Sequence, residues 1–170
     1  MMRLVGVVLL VAGCGAVGLG AVSRLDGRVR DLRELAAGLE VLQRELGWRL
    51  APLPEALKRA AEEAHGRASF FFSRCAQGAR ELNGRPFQQI WREALESCCL
   101  RLDGDDRALL GQLGMVLGRY DADSQRQAIE GVAARLDRRQ VQAAEERQRL
   151  GRVYGVLGMT AGLFLVILLI

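Results

Sequence analysis

Residues 9–20, Leu-Leu-Val-Ala-Gly-Cys-Gly-Ala-Val-Gly-Leu-Gly, admit three readings, and the choice among them decides the fold. Val11–Cys14 fits a lipoprotein cleavage box. Gly13–Gly18 fits the G-x-G-x-x-G dinucleotide fingerprint, with Asp31 and Glu34 near the position expected for a ribose partner. The same residues also lie in a run from Leu4 to Val22 that carries no charge. A dinucleotide site needs its glycines between a strand and a helix of a βαβ unit, but here the apolar run passes straight through them and no second strand follows. A lipoprotein box is followed by polar mature sequence, whereas Ala16–Val22 stays apolar. A cleaved secretory signal would use Gly18 or Gly20, yet Arg3 and the amino group make a thin basic start. About 19 apolar residues are just enough to cross ~30 Å of hydrocarbon. The stretch predicts a transmembrane helix within residues 1–23.

A second uncharged stretch, Val153–Ile170, predicts another span over 153–170. Between them, residues 24–152 hold 23 of the 24 Lys and Arg and all 20 Asp and Glu, a net charge of only +3. That balance, with no basic run interleaved with aromatics, excludes a nucleic-acid partner. Arg24, Arg28, Arg30 and Arg33 follow the first span, and Arg138, Arg139, Arg147, Arg149 and Arg152 precede the second. Arginine near span ends marks the cytoplasmic side, so residues 24–152 are expected in the cytoplasm with both termini outside. Cys75, Cys98 and Cys99 would then stay reduced. Both spans carry small-residue seams, Ala12, Ala16 and Gly20 in one and Gly151, Gly155, Gly158 and Gly162 in the other. Such seams allow close helix packing in lipid, although membrane helices also tolerate glycine in general.

The middle reads as helices throughout, with no strand signal. Leu25, Leu32, Leu39 and Leu46 recur every seven residues, with Val29, Leu35 and Leu42 on the same stripe. That predicts a helix of about 22 residues, roughly 33 Å long, whose stripe packs inside the domain or between subunits. Gly47, Pro52 and Pro54 end it. Further helices are expected over Glu55–Ala64, Ala68–Leu82, Pro86–Cys99 and Asp105–Leu117, with turns at Asn83-Gly84 and Asp103-Gly104. A last helix starts near Asp121 or Asp123, both good N-caps, and runs into the second span along Ile129, Val132 and Leu136. The first and last helices form an antiparallel pair, with the others packed at its far end. The fold class is all-α, a bundle of about six helices with a transmembrane helix at each end.

The chemistry of an enzyme is not legible here. His65 is the single histidine, at a helix end and on the surface. Cys98 and Cys99, about 100° apart on a helix, make a poor chelating pair and read as small buried hydrophobes. Asp103-Gly-Asp-Asp106 and Asp121-Ala-Asp123 lack the glycine and terminal glutamate of a calcium loop and read as caps. There is no phosphate-binding loop, and Lys58 is the sole lysine. No catalytic residue, metal, cofactor or small-molecule substrate is expected.

Three motifs carry a resemblance end to end. They are Pro52-Leu53-Pro54-Glu55-Ala56-Leu57 after the Leu-rich helix, Leu117-Gly118-x-x-Asp121-x-x-x-Gln125 opening the last helix, and Leu157-Gly158 with Gly162 in the apolar C-terminus. In this order and spacing the chain resembles the stage III sporulation protein AB family. It departs from that pattern in its Gly-rich, Cys-containing first span. The resemblance implies an integral mother-cell membrane protein of endospore-forming bacteria, with its soluble domain in the mother-cell cytoplasm. It implies a place in the channel complex that links mother cell and forespore and supports late forespore gene expression. It also implies a soluble region similar to the cytoplasmic domain of the type II secretion F-protein. The implied partners are a cytoplasmic secretion-type ATPase and the other channel subunits, the implied role a docking platform. Pro52, Leu53, Pro54 and Glu55 form a corner far from the bilayer, and the antiparallel pairing brings Asp121 and Gln125 close to it. These six are candidate interface residues, or merely a turn and a cap. A platform of a non-sporulation secretion or pilus system would look similar but usually carries two copies of the helical domain. A lipoprotein or secreted helical module would require cleavage at Cys14 or near Gly20.

Overall fold

The computed structural model describes the backbone of residues 2–82, 84–117 and 122–169, and the side chains of 23, 25–82, 84–117, 123–153 and 160. Six helices follow in order: α1 Met2–Gly47, α2 Leu53–Glu63, α3 Gly66–Arg80, α4 Phe87–Ser97, α5 Gly104–Val116 and α6 Ala122–Leu169. No strand occurs among the described residues, so the chain is an all-α helical bundle. Two compact units emerge, one of residues 28–141 and one made of the first 27 residues with residues 142–170. The spans expected over 1–23 and 153–170 are helical in backbone, as parts of α1 and α6, but their side chains lie almost wholly outside the described residues. Among the described residues no helix is long and apolar enough to cross a membrane.

The helix boundaries shift from expectation by one or two residues, for local reasons. Pro52 is the N-cap of α2 and Pro54 sits in its first turn, where the missing N–H has no helical partner to lose. The helix therefore begins at Leu53, not Glu55. Pro86 likewise caps α4 from outside. α5 starts one residue early because Asp103 and Asp106 form a reciprocal capping box, each side chain accepting from the other's backbone amide at 2.7 and 3.3 Å. Gly84 turns the chain at φ +79°, which costs a residue without Cβ little.

Within residues 28–141 the leucine stripe of α1 is core: Leu32, Leu35, Leu39 and Leu42 are wholly buried, as are Ile129 and Leu136 of α6. Each such side chain contributes about 1.5–3 kcal/mol. Phe71, Phe72, Phe87 and Trp91 join α3 to α4 through ring centroids 4.8 to 6.0 Å apart. Trp91 also donates its indole N–H to the Leu110 carbonyl at 2.8 Å. Three glycines make room for these bulky groups. A Cβ on Gly38 would overlap the Phe72 ring, one on Gly78 the Ile90 side chain, and one on Gly114 the Trp91 indole.

Buried carboxylates tie the helix ends together. Asp31 on α1 accepts from the Arg101 backbone amide at 2.8 Å and from the Arg67 guanidinium at 3.3 Å. Asp106, 0% exposed, accepts from Arg28 Nε at 2.8 Å, and Arg139 approaches it at 3.9 Å. Arg28 also meets Asp103 at 2.5 Å. Arg28 of α1 and Arg139 of α6 thus share one acidic cluster, while Arg126 of α6 packs beside Gly47 at the other end of this stretch of α1. The two helices run antiparallel in this unit, as the sequence suggested. In the other unit Asp26 pairs with Arg147.

Candidate functional site

At the end of the 28–141 unit where α1 stops, the last turn must satisfy carbonyls that have no helical partner. Trp48 and Arg49 both donate to the Arg44 carbonyl, at 3.0 and 3.3 Å, and Ala51 donates to that of Glu45 at 3.0 Å. The chain turns through Leu50 at φ +51°, a left-handed conformation that glycine usually supplies and that costs other residues about 1–2 kcal/mol. Pro52 then fixes the entry to α2, with its carbonyl accepting from Glu55 and Ala56 at 3.0 Å.

The expected corner is present. Pro52 is exposed, Leu53 and Pro54 are half-buried, and Glu55 is exposed within 3.8 Å of Arg80. Beside them lies an open groove of about 360 Å³, lined by Leu53, Pro54, Leu82, Arg85, Phe87 and Leu117. The motif after the first helix and the motif before the last one therefore meet around one groove. Asp121 lies outside the described residues. Gln125 is half-buried on α6, next to Arg126. Of the small-residue seams, Ala12, Ala16, Gly20, Gly155, Gly158 and Gly162 fall where side chains are not described. Gly151 is exposed, with no described atom within 4 Å of where its Cβ would stand.

Sequence reasoning missed the most exposed apolar groups of this corner. Trp48 is 79% exposed and Leu50 72%. The signal was available, since an aromatic residue and a leucine stood between a helix-ending glycine and a proline with no stripe to join. Several arginines stand around them. Arg44 is exposed in the last turn of α1, where the helix dipole also favours a cation. Arg49 and Arg59 both lean on the buried Glu45 carboxylate, at 3.5 and 3.4 Å. Arg126 Nε is buried without a hydrogen-bond partner among the described residues.

The remaining polar groups are structural in geometry. His65 is exposed at the N-cap of α3, and both its Nδ1, at 3.3 Å, and its backbone amide, at 3.0 Å, meet Glu34. Asp31 and Glu34, which a dinucleotide site would have used, thus hold helices together instead. Among the described residues no three His, Cys, Asp or Glu side chains are grouped to hold a metal ion. The two adjacent cysteines differ from expectation. Cys98 is buried just past α4, but Cys99 is exposed, because the backbone leaves the helix and turns left-handed at φ +50°. Burial pushes the Cys75 thiol well up, and it raises Cys98 against the opposing Ser97 hydrogen bond and Arg74 charge. Both stay protonated thiols. Burial also raises the Asp103 carboxyl, but the Asp106 amide, Arg28, the Asp106 side chain and Arg139 outweigh it and hold the group below the usual carboxylate range.

Comparison with known proteins gives a consistent result. The family model described as Stage III sporulation protein AB matches residues 3–170. Stage III sporulation protein AB of Bacillus subtilis (strain 168) is 26% identical over 171 residues, which cover 99% of this chain and 99% of that protein. A solved structure of Stage III sporulation protein AB is similar with a TM-score of 0.65, over 72% of this chain and 98% of the solved one, at 24% identity. That likeness concerns the fold.

Proposed function

The chain belongs to the stage III sporulation protein AB family and has its role in spore formation, and from that premise we propose that it is a non-enzymatic membrane platform. In this reading α1 and α6 cross the mother-cell membrane through residues 1–23 and 153–170. The helical domain faces the mother-cell cytoplasm and docks a cytoplasmic secretion-type ATPase for the channel between mother cell and forespore. The architecture is then that of the type II secretion F-protein domain, present in one copy. The other channel subunits are further partners.

The observation that carries this reading is the groove at the Pro52–Glu55 corner. A core end that stays open, rimmed by Leu53, Pro54, Leu82 and Leu117, is a surface for a protein segment. A platform role also accounts for where the charged groups went. Asp31, Glu45 and Asp106 are each held by arginines or backbone amides within the fold. The membrane assignment rests on the two uncharged runs and the arginines that flank them.

The test is a pull-down of the purified ATPase by the full chain carrying Glu55→Arg and Gln125→Arg. Binding is expected to disappear while helix content by circular dichroism is unchanged, with spore yield falling in cells that carry the variant. Normal pull-down with normal spore yield would leave these residues purely structural.

A further inference from the structure

We draw no further inference here: the strongest candidate, the exposed apolar patch of Trp48 and Leu50 on the turn that closes α1, carries none because nothing in the structure shows what covers it.

Discussion

Removing the Asp106 carboxylate should be among the most damaging single changes in the domain. The group is fully buried and lies at the N-terminus of α5, where it accepts from Arg28 Nε at 2.8 Å and completes the capping box with Asp103. A hydrogen bond to a charged partner contributes about 1.5–3 kcal/mol, and the lost half of the cap adds about 0.5–1 kcal/mol. Stripping one member from a buried pair typically costs about 3–5 kcal/mol. Here the lower end applies, since Arg28 keeps Asp103 at 2.5 Å and is not left alone. Asp106→Ala should therefore lower the unfolding free energy of the 24–152 fragment by about 3 kcal/mol, read from urea unfolding with coincident fluorescence and circular dichroism transitions. A double-mutant cycle with Arg28→Met should return a coupling of about 1.5–3 kcal/mol. The same cycle with Arg139→Met should return less than about 1 kcal/mol, because that guanidinium is one-third exposed and 3.9 Å away. A loss under about 1 kcal/mol for Asp106→Ala, or equal coupling to both arginines, would refute the assignment of Asp106 as the clamp between α1 and α5.

Leu39 is wholly buried on the α1 stripe, so Leu39→Ala should cost about 2–5 kcal/mol in the same assay; a shift under about 0.5 kcal/mol, normal for surface positions, would show that the stripe is not core. The depressed Asp103 carboxyl contributes stability that is present above its unfolded value of about 3.9 and is lost as pH falls through the lower folded value. Asp103→Asn should accordingly flatten the fall in stability below about pH 4, and an unchanged acid limb would contradict the pairing. For topology, Gln77→Cys and Gln127→Cys, both at exposed sites, should resist an impermeant maleimide in intact cells once the native cysteines are replaced. Ready labelling at both would reverse the orientation.

The helical frame was legible because period-seven leucines, prolines and Asp caps each report local physics. Leu25 to Leu46 could be nothing but a helix stripe, and Pro54 could sit comfortably only in a first turn. The corner at Pro52–Glu55 was legible for the same reason. What escaped was everything set by distant partners. Asp31 and Glu34 sat at tempting positions for a ribose site, yet Asp31 is held by Arg67 and Arg101, 36 and 70 residues away in sequence. Asp106 read as a cap and proved also to be the buried partner of Arg28, 78 residues away. Cys99 reads as the last residue of α4 because no glycine or proline marks the earlier end at Ser97, and its left-handed backbone has no local signature. Leu50 is the same kind of miss. A left-handed residue that is neither glycine nor asparagine is invisible to turn rules.

The two ends of the 28–141 unit are built from opposite materials. At one, Arg28, Asp31, Arg67, Arg101, Asp103, Asp106 and Arg139 link α1, α3, α5 and α6 by ion pairs and charged hydrogen bonds, and Arg107 adds bonds to the Leu95 and Leu100 carbonyls at 3.2 and 3.0 Å. At the other, Trp48 and Leu50 stand exposed, and Leu53 and Pro54 line an open groove. Nineteen residues of α1, from Arg28 to Gly47, separate the two, which at 1.5 Å per residue is about 28 Å. Sites so far apart that share no partner add in their effects on stability to within about 0.3–0.5 kcal/mol. Combining Leu50→Gly with Asp106→Ala should therefore give the sum of the single changes in urea unfolding, with the glycine restoring at most the ~1–2 kcal/mol of left-handed strain. An interaction energy above about 1 kcal/mol would mean that the open end is mechanically tied to the clamp.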